Sequence, residues 1–119
     1  MYIINSIKRF DIVEVELIDD GSVIQNGTRP CIVVSNSKIN SGNSVCIVVP
    51  VTTGKKCSNK YKSHFEFDDI YCKGTALCEQ MRAIPVNWIL YKRGKLSNVF
   101  HHKFIEVLKF TLGIKSKEY

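Results

Sequence analysis

Residues 12–17 read Ile12-Val13-Glu14-Val15-Glu16-Leu17, with apolar and acidic side chains taking turns. A period of two sends successive side chains to opposite faces, so Phe10–Leu17 predicts a half-buried β-strand with an acidic outer face. Two unbroken apolar runs follow, Cys31–Val34 and Val45–Val49. They are short and rich in β-branched residues, which favours buried core strands over helices. Strand signals return at His64–Phe67, at Thr75–Met81 and, after the break at Pro85, around Trp88–Tyr91. The period then changes: Phe100, Phe104, Val107, Leu108 and Thr111 stand at helical spacing between a capping Ser97 and a terminating Gly113.

Between these elements, residues 19–28 are dense in turn formers and predict a long loop. Ser35–Asn43 is a polar connection with room for one helical turn, and residues 53–62 form a polar, basic, aromatic-bearing exposed loop. Five or more short strands closed by one helix predict a mainly β fold with α: a small, strongly bent antiparallel sheet or barrel with a C-terminal helix. No internal repeat, low-complexity stretch or linker interrupts the chain, so residues 1–119 are read as one domain, with 115–119 as a basic tail.

Composition narrows the setting. Hydrophobic residues make up 45% and charged residues 24%, the balance of an ordinary globular protein. Seventeen Lys and Arg against eleven Asp and Glu give a net charge of +6, a field that attracts polyanions. No run reaches the eighteen or so apolar residues of a membrane span, and the opening Met1–Asn5 is too short for a signal peptide's apolar region, so the expected location is the cytoplasm. Five cysteines, Cys31, Cys46, Cys57, Cys72 and Cys78, show no metal-ligand spacing and suit a reducing compartment. The expectation is a protein without metal or cofactor.

The chemistry is narrowed by what is missing. There is no Gly-x-Ser-x-Gly elbow, phosphate loop, His-Glu-x-x-His or dinucleotide fingerprint. His101 and His102 are neighbours on the last helix, so their side chains diverge by about 100 degrees, cannot share a metal and are expected at the surface. What remains is a pair of polar segments at the ends of the core strands, Gly27-Thr28-Arg29-Pro30 before the first and Pro50-Val51-Thr52-Thr53 after the second. If those strands are antiparallel neighbours, Arg29 meets Thr52 and Thr53 at one rim, an arrangement suited to a phosphate. The alternative is that Arg29 pairs with Asp11 or Glu79 and the threonines simply end a strand.

Gln25-Asn26-Gly27-Thr28-Arg29-Pro30, leading into Cys31–Val34 and Asn36, resembles the signature of the MazF/PemK family of toxin endoribonucleases. Val45–Thr52 is similar to that family's second core strand, Ala76–Ile84 to its Glu-Gln-Ile-Arg strand, and Gly94–Ser97 with Leu108–Gly113 to its Gly-x-Leu-Ser turn and closing helix. Two departures stand out: Arg9-Phe10-Asp11 where the family commonly has Arg-Gly-Asp, and a different loop after Thr53. The resemblance implies a small SH3-like antiparallel β-barrel of the CcdB/MazF type with a C-terminal α-helix. It further implies a homodimer, neutralised by a cognate acidic antitoxin, that cleaves single-stranded RNA sequence-specifically with Arg29 and Thr52 as catalytic residues.

His64 is the candidate general acid or base, because neither Arg29 nor Thr52 readily accepts a proton. Gln25, Gly27, Thr28, Thr53, Lys55, Lys56, Lys60, Tyr61, Lys62 and Gln80 are the candidate RNA contacts, the lysines for phosphates and Tyr61 for stacking on a base. The rival readings are a non-enzymatic, gyrase-binding toxin resembling CcdB and a catalytically silent RNA-binding relative. The first would look for a tryptophan near the chain end, whereas the only tryptophan is Trp88.

Overall fold

The computed structural model describes residues 7–17, 27–42, 44–53 and 61–115. The elements run β1 (Asp11–Leu17), β2 (Gly27–Val33), α1 (Ser37–Gly42), β3 (Val45–Thr52), β4 (His64–Asp68), β5 (Lys73–Leu77), β6 (Arg82–Pro85), β7 (Ile89–Lys95) and α2 (His101–Leu112). The strands form one sheet in the order β4-β5-β3-β2-β1-β7, with β6 also paired to β3, and every pairing is antiparallel. The sheet is bent but not closed, so the expected barrel is a barrel-like sheet. No helix among the described residues is long and apolar enough to cross a membrane.

Both faces of the central strands are buried, which is why their sequences read as continuous apolar runs. On one face Ile12, Ile32, Val49, Val51, Phe65, Phe67 and Ala76 pack against Phe104 and Leu108 of α2. On the other, Val13, Val15, Leu17, Cys31, Val33, Cys46 and Val48 pack against Ile84, Val86 and Ile89. Each strand therefore hands alternate residues to separate apolar clusters.

The segment expected as one strand, Thr75–Met81, holds only the end of β5 and then a 3-10 turn over Cys78–Gln80, closed by the Met81 amide donating to the Cys78 carbonyl at 3.2 Å, before β6 begins at Arg82. Pairing explains the break. One edge of β3 takes β5 at Val51 and Thr52 and β6 at Val45 to Val48, so the chain must step from one half of β3 to the other. Gly27 and Thr28, expected in the loop, already belong to β2 and pair with Leu17 and Glu16.

The helix boundary differs as well. Ser97 does not cap α2: its amide and hydroxyl both donate to Asp69, each at 2.7 Å, and a 3-10 turn over Asn98–Phe100 precedes the helix. Burial by itself would raise the Asp69 carboxyl, but the bonds from Ser97 and from the Ile70 amide outweigh it and hold the group below the ordinary carboxylate range. The expected terminator stands, with Gly113 at φ 73° and the Ile114 amide returning to the Lys109 carbonyl.

Phe10, where the resembling family commonly has glycine, adopts φ 75°, a left-handed conformation that costs a residue with a Cβ about 1–2 kcal/mol. Its ring stacks on His101 with centroids 3.7 Å apart, and the imidazole Nε2 lies 2.7 Å from the Leu96 carbonyl. His101 is therefore a half-buried partner of the first strand and not the surface residue expected; His102 is exposed.

Candidate functional site

The register of β2 on β3 brings the two polar segments together. Cys31 lies opposite Pro50 and Val33 opposite Val48. Carried on by two residues, this register sets Arg29 against Thr52, on neighbouring strands about 4.8 Å apart. Side chains alternate along a strand, so Arg29 shares the face of Cys31 and Val33, and Thr52 the face of Cys46 and Val48. Both therefore stand on one face, at the rim of the second apolar cluster.

The row continues past Thr52. Thr52 pairs with Thr75 of β5, and Thr75 with Glu66 of β4. In the other direction Arg29 pairs with Val15 of β1. A line across the sheet thus reads Val15, Arg29, Thr52, Thr75, Glu66. The β4 burial pattern agrees, with Phe65 and Phe67 buried against the helix side and Glu66 exposed on the other. Gly74 fixes how closely β5 approaches, because a Cβ there would collide with the Thr52 carbonyl oxygen. Thr75 is nearly fully buried, Thr52 and Arg29 are half-buried, and Glu66 is exposed, so the row slopes from a hydroxyl floor up to charged ends.

A second guanidinium lies nearby. Arg82 pairs with Val48 on the same face, and its guanidinium carbon sits 5.5 Å from the Trp88 ring centroid. Burial pushes the Cys31 thiol up to about 12, with Glu14 and Cys46 adding to the rise and the charges of Arg82 and Arg29 pulling against it. Arg29 and Arg82 are thus both within electrostatic reach of one buried atom, and this corner of the face is basic.

His64 lies on the same face as Glu66, one position along the ladder, opposite Leu77. Its Nε2 is 3.1 Å from Glu79 Oε2, the Ser63 hydroxyl donates to Glu79 Oε1 at 2.7 Å, and Tyr61 packs edge-on at 5.1 Å. The imidazole is only 7% exposed. Asp11 and Glu79, the alternative partners for Arg29, hold other groups: Asp11 pairs with Lys92 at 3.2 Å, and Glu79 holds Ser63 and His64.

The remaining candidates divide. By alternation, Thr28 points away from Arg29, to the opposite face of the sheet, and is exposed; Thr53 is also exposed and lies just past the end of β3. Gly27 lies on the Arg29 side at the start of β2. Tyr61 is 63% exposed and available to stack, while the Lys62 ammonium lies 5.7 Å over the Phe110 ring of α2. Gln80 is half-buried in the 3-10 turn before β6. Gln25, Lys55, Lys56 and Lys60 lie outside the described residues. Among the described residues no group of three or more His, Cys, Asp or Glu could hold a metal ion.

Sequence reading missed Thr75, Glu66 and Arg82. The alternation of His64-Phe65-Glu66-Phe67 does put Glu66 on one face, but its alignment with Thr52 depends on β5 lying between β3 and β4. A separate groove, lined by Arg9, Val34, Ile39, Ile47, Met81, Leu108 and Leu112, lies beside α2 and contains none of the candidates.

A family model described as "PemK-like, MazF-like toxin of type II toxin-antitoxin system" matches residues 8–110. A sequence comparison with curated proteins gives no match. Among solved structures the chain is similar to MazF from Deinococcus radiodurans, at TM-score 0.77 and 16% identity over 91% of this chain and 97% of that one. It is also similar to an endoribonuclease in complex with its cognate antitoxin from Mycobacterial species, at TM-score 0.75 and 16% identity over 92% and 97% of the respective chains. A third is the Mycobacterium tuberculosis toxin MazF-mt6, at TM-score 0.71 and 16% identity over 88% and 98%. At these identities the structural likeness establishes the shared fold.

Proposed function

Given that this chain belongs to the PemK-like, MazF-like toxin family of type II toxin–antitoxin systems, we propose that it cleaves single-stranded RNA without a metal. Arg29 and Thr52 hold the scissile phosphate. The observation that carries this reading is the β2–β3 register, Cys31 opposite Pro50, which when continued by two residues brings Arg29 alongside Thr52.

Cleavage without a metal lets the RNA supply its own nucleophile. The 2′-hydroxyl attacks the adjacent phosphorus, so the protein must position the phosphate and stabilise charge on its non-bridging oxygens. The planar guanidinium of Arg29 can fork onto two of those oxygens. Its place at the edge of an apolar cluster, with Cys31 and Val15 fully buried beside it, strengthens that interaction by keeping water from one side. Thr52 donates one hydroxyl hydrogen bond. The products are a 2′,3′-cyclic phosphate and a free 5′-hydroxyl, and DNA, lacking the nucleophile, is not cut. The exposed Tyr61, together with Lys55, Lys56 and Lys60 that precede it in sequence, tracks the single strand, and Lys62 joins them if it leaves Phe110. A homodimer neutralised by an acidic antitoxin completes the reading.

The Glu79 contact at 3.1 Å engages one ring nitrogen of His64, and the imidazole is only 7% exposed, so its part is secondary to the phosphate clamp. The test is incubation of purified protein with a labelled single-stranded transcript, with and without EDTA, followed by end analysis. Cleavage in both conditions, leaving cyclic phosphate ends and sparing a 2′-deoxy substrate, is the expected result. Intact RNA in both, or cleavage that EDTA abolishes, would overturn the proposal.

A further inference from the structure

Resting on the ribonuclease reading above, we propose that Glu66 is the general base, the group that takes the proton from the attacking 2′-hydroxyl. Arg29 and Thr52 supply charge and a hydrogen bond, but neither accepts a proton readily at neutral pH, whereas a carboxylate does. Glu66 is the carboxylate that strand pairing aligns with them: Thr52 faces Thr75 and Thr75 faces Glu66, all on the face that carries Arg29. Three strand spacings of about 4.8 Å place the Arg29 and Glu66 backbones about 14 Å apart. Two threonines lie between. Long side chains at each end can reach toward one another across that row, bringing a cation and a carboxylate to either side of a phosphate held at Thr52.

The neighbouring groups fit the assignment. Thr75 is 2% exposed and so belongs to the packed body of the sheet, while Thr52 is half-buried and Glu66 is exposed to solvent. The other titratable group near this row is His64, on the same strand and face as Glu66. Its imidazole is 7% exposed, so it offers a bound strand far less surface than the exposed Glu66. Asp68 also shares that face but lies opposite Lys73, one position farther from His64 along the ladder.

The step balances without an external reagent other than solvent. The 2′-hydroxyl proton passes to a Glu66 oxygen as the 2′-oxygen bonds to phosphorus. The P–O5′ bond breaks, the 5′-oxygen leaves with the electron pair and takes a proton from water, and the resulting hydroxide removes the proton from Glu66. Arg29 holds the phosphate charge throughout.

The experiment compares wild type, Glu66→Gln and His64→Gln in single-turnover cleavage of a labelled single-stranded RNA bearing the mapped cut site. Affinity is measured on the same RNA with a 2′-O-methyl group at the cut nucleotide. Gln preserves size and polarity at an exposed position, so the fold is retained. Glu66→Gln is expected to slow the cleavage step by about 100-fold or more, the usual contribution of a positioned base. Its affinity for the methylated RNA stays within about twofold, and His64→Gln loses less. Glu66→Gln cleaving within about threefold of wild type, losing affinity in step with rate, or surpassing His64→Gln in activity would overturn the assignment while leaving the ribonuclease intact. Wild-type protein that leaves all RNA uncut would instead remove the reading on which the assignment rests.

Discussion

Convergence of Arg29 and Thr52 on one phosphate can be measured with a double-mutant cycle. Thr52→Val keeps the shape of the side chain and removes one hydroxyl donor to a charged oxygen, a bond worth about 1.5–3 kcal/mol, so cleavage should slow about 10- to 150-fold. Arg29→Lys keeps the charge and removes the fork. One of two charge-assisted bonds goes, and the expected loss is of similar size, whereas Arg29→Ala removes the whole stabiliser and should cost about 100- to 1,000-fold or more. Groups on adjacent strands that hold the same phosphate are coupled, so the double mutant Arg29→Lys/Thr52→Val should be less impaired than the product of the singles by about 1 kcal/mol, or roughly fivefold. Thr28→Val supplies the control, because Thr28 is next to Arg29 in sequence but on the opposite face of β2. Single-turnover cleavage of a labelled RNA reads every rate, and circular dichroism confirms the fold. Strict multiplication of the Arg29→Lys and Thr52→Val effects would refute the shared-phosphate geometry. A Thr28→Val defect equal to that of Thr52→Val would refute the facial assignment.

Phe10→Gly removes the left-handed strain of about 1–2 kcal/mol but gives up the His101 stack, about 0.5–1.5 kcal/mol, and half of an aromatic burial worth about 1.5–3 kcal/mol. A net destabilisation of about 1 kcal/mol in urea titration is expected, and a clear stabilisation would show that the ring contributes little. The thiols of Cys31 and Cys78 are pushed up to about 12 and that of Cys46 to about 11 by burial, so these three should resist iodoacetamide at neutral pH until the protein is unfolded, as read by mass spectrometry. Asp69, with its carboxyl held low, stabilises the fold fully above the ordinary carboxylate range and loses that contribution as pH falls through its depressed folded value. Asp69→Asn should therefore lower the melting temperature at pH 7, with the gap from wild type narrowing at pH 3; a gap that widens in acid would contradict this. Replacing Lys55 and Lys56, or Lys60 and Lys62, pairwise with Ala should weaken RNA binding and lower the log–log salt slope by about 0.7 for each phosphate that is no longer neutralised, whereas an unaltered slope would remove that pair from the interface.

The class of fold was legible in the chain before any coordinates. Period-two alternation in β1, apolar runs in β2 and β3 and helical spacing near the end of the chain are local signals, written by which residues must be buried, and they hold without knowledge of neighbours. The same signals brought Arg29 to one rim with Thr52 and Thr53, since antiparallel pairing of adjacent runs joins their ends, but it was the family resemblance that singled out Arg29 and Thr52 as a pair. What crosses the sheet became visible only in three dimensions. The break at Cys78–Gln80 exists because β3 shares one edge between two partners, the left-handed Phe10 is met by a ring, His101, from a distant helix, and Glu66 aligns with Thr52 because β5 intervenes. Such relations depend on the order and register of strands far apart in the chain. Those are settled by the joint packing of both apolar clusters, which no single segment encodes.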